Sequence, residues 1–210
     1  MNKHALRDEG IVSVLVALLV TIILYFIYPV LAVLGIGLLL FILFFFRDPE
    51  RVINVDENIV YAACDGTVVE VNQVEEERFF NGAATAIHIF MSPSNVHVNR
   101  SPIKGKVTYQ HHQKGQFVPA TRDNCYEINE RNYIGIENNS VKVLLVQVAG
   151  IMARRTVSWV EVGQSVEQGE KVGMVKFSSG TRHFVPVTME VLVKPGDVVQ
   201  AGITPIGRFV

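Results

Sequence analysis

The sequence predicts a mainly β domain behind an N-terminal transmembrane helical hairpin. Residues 11–46 carry no charged side chain and are dominated by apolar residues. From about residue 54 onward, short apolar runs of strand length alternate with turns, and no long helical periodicity is present. These observations separate an apolar anchor, residues 1–50, from a β domain, residues 51–210.

The apolar segment is too long for one straight membrane-spanning helix. At about 1.5 Å per residue, residues 11–46 would form a helix of roughly 54 Å, whereas a bilayer core is about 30 Å thick. Pro29 lies near the middle, and proline interrupts helices. We therefore predict two helices, about 11–28 and 29–46. The sequence also allows one tilted span with an interfacial extension, or a shallow re-entrant hairpin.

Basic residues flank the apolar segment on both sides. Lys3 and Arg7 precede it, and Arg47 and Arg51 follow it. Because basic flanks favour the cytoplasm, both ends of a hairpin are expected on that side. The β domain is then expected at the cell membrane, on its cytoplasmic face.

The β domain contains candidate strands separated by turn signals. Asp65-Gly66 is one such signal. Residues 73–84 and 118–131 are polar, and they are predicted to be loops. The predicted strands are 59–63, 67–72, 86–91 and 141–148.

A short internal repeat indicates the type of β fold. The sequence from Gly163 to Gly169 has glycine at both ends and valine in the middle, and the same pattern recurs from Gly196 to Gly202. Glycine permits the positive φ of tight turns, and the interleaved valines can fill a core. Such hairpins resemble those of biotinyl/lipoyl-like β barrel-sandwich domains, which is the fold predicted here.

Composition excludes several classes of function. Lys and Arg number 19 against 20 Asp and Glu, so no basic face for nucleic acid is indicated. The two cysteines, Cys64 and Cys125, do not suggest a disulfide framework or a metal site. Histidines are plentiful, but no His-Glu-x-x-His or comparable spacing occurs, so no metal is predicted and a metallopeptidase is disfavoured.

Several short motifs carry the candidate chemistry. Taken singly, each is typical of a turn or a solvated surface. In this order, however, they resemble the short form of the phosphatidylserine decarboxylase family, which includes archaeal archaetidylserine decarboxylases, and the resemblance covers nearly the whole chain. The main motifs are Phe46-Arg-Asp-Pro49, Ala63-Cys-Asp-Gly66, Phe90-Met-Ser-Pro-Ser-Asn-Val-His97, Val148-Ala-Gly-Ile-Met-Ala-Arg-Arg155 and Lys176-Phe-Ser-Ser179.

This resemblance implies a carboxy-lyase that matures by cutting its own chain. Aligned without gaps, the family's cleavage site falls between Ser178 and Ser179, which gives a β chain of residues 1–178 and an α chain of residues 179–210. Ser179 would become a covalent pyruvoyl group. That group would act as the electron sink for decarboxylation, the role that pyridoxal phosphate has in other enzymes.

The resemblance also implies roles for other residues. Asp65 and His97 match family residues that assist cleavage or catalysis, and His97 is our candidate proton donor. Arg154 and Arg155 are candidates for binding the substrate's phosphodiester, and His112 is a further candidate for binding the substrate. The expected partners are a phospholipid substrate, the membrane, the protein's own cleaved chains and further copies of the protein in a homo-oligomer.

The chain departs from the family pattern at two positions. Ser178 stands where the family has glycine, and Arg100 stands where longer members have a second histidine. The histidine that assists cleavage is therefore left open among His97, His111 and His112. The first departure favours an alternative function, a non-cleaving paralogue that binds phospholipid or a partner without catalysis.

A carrier function and a shifted cleavage site have less support in the sequence. A membrane-tethered carrier or adaptor of the same fold would need a modifiable lysine at a hairpin tip. Lys171 and Lys194 lie near turns, but neither follows a methionine, as such lysines usually do. A cleavage shifted to Gly180-Thr181 would leave threonine at the new terminus, and threonine cannot give pyruvate by this route.

Overall fold

The computed structural model describes most of the chain. The described residues are 4–118, 125–150, 155–176 and 179–209, without the side chains of Arg7, Cys125 and Ser179. The chain divides into two compact units, residues 1–50 and 51–210.

The first unit is a pair of apolar helices. A π-helical turn, Ala5–Gly10, leads into α1 (Ile11–Ile27). Tyr28 is extended, with φ −159° and ψ 115°, because the residue before a proline avoids the helical region. A 3₁₀ turn at Pro29–Leu31 then leads into α2 (Ala32–Phe45).

The two helices pack through small residues and present large apolar side chains outward. Ala17, Ala32 and Gly35 are buried where the helices meet. By length and composition, the 20-residue helix Asp8–Ile27 could cross a membrane, whereas the apolar helix Pro29–Phe45 is shorter. This unit therefore has the apolar surface that a bilayer would cover, and its insertion stays a prediction.

The described part of the second unit forms fourteen strands and one short helix. They are β1 (Ile59–Tyr61), β2 (Gly66–Glu76), β3 (Gly82–Met91), β4 (Val98–Arg100), β5 (Gly105–Gln113), α3 (Cys125–Ile128), β6 (Arg131–Glu137), β7 (Lys142–Val148), β8 (Arg155–Ser158), β9 (Ser165–Val166), β10 (Lys171–Lys176), β11 (Ser179–Pro186), β12 (Glu190–Val191), β13 (Val198–Val199) and β14 (Pro205–Arg208).

These strands form three antiparallel sheets. The largest has the order β13-β2-β3-β11-β7-β6-β5-β9. The two smaller sheets have the orders β4-β10-β8 and β1-β14-β12. The prediction of a mainly β, barrel-sandwich fold is confirmed.

The main core lies on one face of the large sheet. Successive residues of a strand point to opposite faces, and Ile87, Ile89 and Met91 of β3 point into this core. Val172 of β10 and Ile206 of β14 belong to the same buried cluster, so it also includes residues of both smaller sheets. The opposite face carries a second buried cluster that includes Tyr133, Leu144, Val146 and Phe184.

The glycine repeat forms turns, as predicted. Gly163 and Gly196 have φ of 96° and 97°, and Gly169 and Gly202 have φ of 79° and 71°. This left-handed backbone is unfavourable for residues with a Cβ. The repeat therefore determines the shape of four turns, two in each copy, and carries no chemistry of its own.

The prediction that residues 73–84 form a loop is wrong at both ends. β2 continues to Glu76 and β3 starts at Gly82, which leaves a short turn. The Glu76 carboxylate accepts hydrogen bonds from the backbone N–H groups of Arg78, Phe79 and Phe80. A polar side chain thus organises the turn that joins β2 to β3. The predicted loop 118–131 likewise contains α3 and the first residue of β6.

Candidate active site

The predicted cleavage site lies where the chain passes from one sheet to another. β10 ends at Lys176 in a three-stranded sheet, and β11 begins at Ser179 in the eight-stranded sheet. Phe177 and Ser178 lie outside the described residues. The Ser179 backbone is paired with Met91, the last residue of β3. Residue 179 therefore stands at one edge of the large sheet.

Neighbouring strands also begin or end at this edge. β7 ends at Val148, which pairs with Gly180, and β6 begins at Arg131, which pairs with Val148. β2 begins at Gly66, directly after Asp65. The antiparallel order thus brings the segment before β2, the end of β7 and the start of β11 to the same edge.

His97 lies beside the strand that leads to the cleavage site. Its side chain is fully buried, and its carbonyl accepts a hydrogen bond from the Val175 N–H at 3.2 Å. The following strand, β4, pairs with β10 through Val98 and Met174. His97 is therefore fixed next to a residue only four positions before Ser179.

Asp65 is held in a buried ion pair. Its two carboxylate oxygens each accept a hydrogen bond from Arg51 at 2.7 Å, from Nη1 and Nη2. The Ala201 N–H donates to Oδ1 at 2.8 Å. The side chains of Arg51 and Asp65 are only 7% and 11% exposed. The structure thus gives this aspartate a definite position and a fixed counter-charge.

The two residues before Asp65 connect it to the strands of Ser179 and His97. The Ala63 N–H donates to His183 Nε2 on β11 at 2.8 Å. The Ala63 carbonyl accepts from the Arg100 N–H on β4 at 2.8 Å. Cys64 interacts with the hydroxyl of Thr181, two residues after Ser179. The segment 63–65 therefore lies between the strand that begins at Ser179 and the strand that follows His97.

Three buried amide side chains form a hydrogen-bonded chain between the large sheet and β4. Asn132 Nδ2 donates to Gln147 Oε1, and Gln147 Nε2 donates to Asn99 Oδ1, both at 2.8 Å. Asn99 is two residues after His97, and Gln147 is the register partner of Thr181. Gly173 leaves room for this contact, because a Cβ there would lie 2.8 Å from Gln147 Nε2. The amides therefore link the large sheet to β4.

Burial keeps His183 and Cys64 uncharged near neutral pH. Burial lowers the pKa of His183 to about 4, against a smaller opposing effect of the Ile87 backbone. Since Nε2 accepts a hydrogen bond, we place the proton of neutral His183 on Nδ1. Burial raises the pKa of the Cys64 thiol to about 12, so this thiol is a packing residue and a poor nucleophile.

A second buried histidine lies on the opposite face of the sheet. Burial is the largest effect that lowers the pKa of His88 to about 3, and the charges of Arg182 and His183 act in the same direction. Its Nδ1 lies 3.1 Å from Glu70 Oε2. His88 is therefore neutral at pH 7, and this contact is not an ion pair.

The predicted substrate-binding residues differ in their positions. Arg155 is exposed. Its backbone on β8 is in register with Lys176 on β10, so it lies beside the end of β10. Arg154 lies outside the described residues. His112 is exposed on β5, in register with Asn132, and β5 is separated from β11 by β6 and β7. At roughly 4.8 Å per strand, its backbone is about 14 Å from that strand.

Sequence reasoning does not find the residues that hold the candidate site together. These residues are buried polar side chains or form an ion pair with one: Arg51, Asn99, Gln147, Thr181 and His183. Polar residues inside apolar strand runs, such as Gln147 in Val-Gln-Val, are the available signal. Their partners cannot be read from the chain.

Other features of the described residues lie apart from this edge. A surface cavity of about 360 Å³ is lined by Lys104, Asn138 and Glu167, at the opposite ends of β5, β6 and β7. Within the described residues, no group of three or more His, Cys, Asp or Glu side chains could hold a metal ion.

Comparisons with known proteins agree on the class of protein. The family described as phosphatidylserine decarboxylase matches residues 38–207. A phosphatidylserine decarboxylase proenzyme of Symbiobacterium thermophilum is 43% identical over 212 aligned positions, which cover 100% of this chain and 98% of the relative. One of Carboxydothermus hydrogenoformans is 47% identical over 173 residues, covering 82% of this chain and 81% of the relative.

An archaeal relative is also similar. A putative archaetidylserine decarboxylase proenzyme of Methanocaldococcus jannaschii is 39% identical over 186 residues, covering 81% of this chain and 90% of the relative. The family match and these relatives define a decarboxylase, a carbon–carbon lyase, and the mainly β fold agrees with that class. More particularly, the chain belongs to the phosphatidylserine decarboxylase family.

Proposed function

We propose that this protein is a membrane-bound proenzyme that cleaves itself between Ser178 and Ser179 and then decarboxylates a phospholipid with a serine headgroup. The substrate is phosphatidylserine or its ether-linked archaeal analogue, and the products are the ethanolamine phospholipid and CO₂. The observation that carries the proposal is the position of Ser179. It begins a central strand, beside the strand pair that fixes His97, in a chain that belongs to this family.

The cleavage chemistry balances with water as the only co-reactant. The Ser179 hydroxyl oxygen attacks the carbonyl carbon of residue 178, the C–N bond breaks, and the proton passes to the released amine. Loss of the Ser179 Cα proton then breaks the bond between Oγ and Cβ. This step frees residue 178 as a carboxylate and leaves dehydroalanine at residue 179. Water finally replaces the nitrogen by oxygen and releases ammonia, which leaves a pyruvoyl group.

The structure around residue 179 fits such a terminal group. β11 pairs with β3 on one side and β7 on the other. β13 and β14 of the C-terminal fragment pair with β2 and β1. Residues 179–210 would therefore stay bound after cleavage, with the new terminus at the sheet edge. The pyruvoyl carbonyl would supply an electron sink for the loss of CO₂.

The protein's own residues would position and protonate the reacting groups. His97 is buried and fixed beside β10, which suits a group that moves a proton near residue 179. Asp65 supplies a fixed negative charge at the same edge. Arg155, beside Lys176, is a candidate for the phosphodiester. Arg154 and His112 stay candidates from sequence alone.

The anchor supports a membrane location. Large apolar side chains on both helices are exposed, among them Phe26 at 81% and Leu34 at 70%. Such a surface is typical of helices that face lipid. Anchoring at the cytoplasmic face would hold the catalytic unit near its lipid substrate, and a homo-oligomer is part of the same proposal.

The test is conversion of the lipid. Vesicles containing phosphatidylserine would be incubated with the full chain, with Ser179→Ala and with Ser165→Ala, and the ethanolamine lipid measured by mass spectrometry. Ser165 is an exposed strand serine and serves as the matched control. We expect conversion by the wild type and by Ser165→Ala only. Conversion by Ser179→Ala would contradict the proposal, and vesicle binding by a wild type that stays inactive would favour the non-cleaving paralogue.

A further inference from the structure

Arg51 makes the closest described contact to the candidate aspartate. Both terminal nitrogens of its guanidinium donate to the Asp65 carboxylate at 2.7 Å. Nη1 also donates to the Ala201 carbonyl at 2.8 Å, and the Ala201 N–H donates back to Asp65 Oδ1 at 2.8 Å. Arg51, Asp65 and Ala201 thus form a closed ring of hydrogen bonds.

This geometry is specific for arginine. The planar guanidinium matches both oxygens of a carboxylate at once, whereas a lysine ammonium is a point charge on a flexible chain. The pair is buried, so water solvates the Asp65 carboxylate only weakly. Loss of Arg51 would leave a buried carboxylate with only the Ala201 N–H among these partners.

The ring also limits what Asp65 can do. An ionised carboxylate has about four acceptor positions. Oδ1 accepts from Arg51 and Ala201, and Oδ2 accepts from Arg51. These contacts leave one position on Oδ2. A carboxylate held in this way is suited to orienting a neighbouring donor.

The ring is connected to the strand of the cleavage site. Asp65 follows Ala63 and Cys64, and these residues contact His183 and Thr181 on β11. A displacement of Asp65 would therefore also disturb the segment that packs beside Ser179's strand.

We propose that Arg51 is a positioning residue for self-cleavage, which acts by holding the Asp65 carboxylate in place at the edge where Ser179 begins. This inference rests on the proposed function, in which Asp65 assists cleavage. Among the described residues, Arg51 donates hydrogen bonds to Asp65 and to the Ala201 carbonyl, so its effect on cleavage is expected to pass through Asp65.

The test is a double-mutant cycle on the rate of self-cleavage. The full chain would be produced as wild type, Arg51→Gln, Arg51→Lys, Asp65→Asn and Arg51→Gln with Asp65→Asn. Cleavage would be followed over time by gel and intact mass. Arg208→Gln is the matched control, because Arg208 forms an exposed ion pair with Glu190 in the same unit. Melting temperatures would show that each variant folds.

We expect Arg51→Gln to slow cleavage by about tenfold or more, because the Asp65 carboxylate loses the two hydrogen bonds that fix it. Arg51→Lys should retain more activity than Arg51→Gln. In the Asp65→Asn background, Arg51→Gln should change the rate by less than about twofold.

Two results would overturn the proposal. One is an Arg51→Gln variant that cleaves at the wild-type rate. The other is an equal effect of Arg51→Gln with and without Asp65, since this would show that Arg51 acts by another route. A wild type that never cleaves would instead refute the proposed function itself, and the inference would fall with it.

Discussion

His183 and Ala63 are joined by a buried hydrogen bond, in which the Ala63 N–H donates to His183 Nε2 at 2.8 Å. The bond requires His183 to keep Nε2 unprotonated, and burial lowers its pKa to about 4. It ties the segment that carries Asp65 to the strand that begins at Ser179. The protonation state of a residue outside the chemistry thus affects the geometry of the candidate site.

The first prediction concerns stability at acidic pH. The folded-state pKa of His183 lies below its ordinary value of 6.5, so the unfolded chain binds the proton more readily. The stabilising effect is complete above about pH 6.5, and it is lost as the pH falls towards 4. The expected loss is on the order of 3 kcal/mol.

The measurement is the free energy of unfolding from pH 7.5 to 4, in a Ser179→Ala background that stays one chain. His183→Gln can still accept the Ala63 N–H through its amide oxygen, but it does not titrate. Its stability should therefore fall less steeply than that of the parent. Equal slopes for the two proteins would show that His183 is not the group responsible.

The second prediction concerns Ser178. Glycine at the family's equivalent position has no Cβ, and a Cβ restricts the backbone beside the attacked carbonyl. Strain of about 1–3 kcal/mol from this Cβ means that Ser178→Gly should speed self-cleavage by roughly fivefold to over a hundredfold. Ser178→Ala, which keeps a Cβ, should cleave at close to the wild-type rate. The rates would be measured by gel after synthesis, and equal rates for all three proteins would refute the explanation.

The third prediction concerns the buried amides. Gln147→Leu would leave Asn99 Oδ1 and Asn132 Nδ2 without their described Gln147 partner in a fully buried site. We expect the free energy of unfolding to fall by about 2–4 kcal/mol. Gln200→Leu is the control, since Gln200 is exposed. Urea denaturation would give the free energy of unfolding of both variants. Similar decreases for Gln147→Leu and Gln200→Leu would contradict a special role for the amide chain.

The fourth prediction concerns the anchor. The protein should remain with the membrane after alkaline carbonate extraction. An arginine at Leu19 and another at Leu38 would each cost about 2.5–3.5 kcal/mol within a bilayer, so the double variant should shift to the soluble fraction. Val52→Arg, an exposed change in the second unit, should not. Recovery of the wild-type protein in the supernatant would contradict membrane insertion.

The sequence predicts the local features better than the long-range contacts. The predicted strand 141–148 matches β7, and the repeated glycines have the predicted positive φ. These features follow from local patterns of apolar residues and turns. The loop prediction at 73–84 is wrong, because Glu76 organises a short turn and the strands on either side of it pair up to Glu76 and Gly82.

The contacts of the candidate site cannot be predicted in this way. The sequence marks Asp65 as a turn residue with a family role, but its partners are Arg51, 14 residues earlier, and Ala201, 136 residues later. Gln147 is one residue of an apolar strand in the sequence, although its side chain joins two sheets. Such contacts depend on which strands become neighbours, and the spacing of residues along the chain does not contain that information.

The most direct test of the account is the intact mass of the purified protein, with Ser179→Ala analysed beside it. We predict two chains from the wild type, one of residues 1–178 and one of residues 179–210. The smaller chain should be lighter than a serine-terminated fragment by the mass of ammonia, and Ser179→Ala should remain one chain. A wild type that remains uncleaved after long incubation, or a fragment that begins with an unmodified serine, would contradict the account.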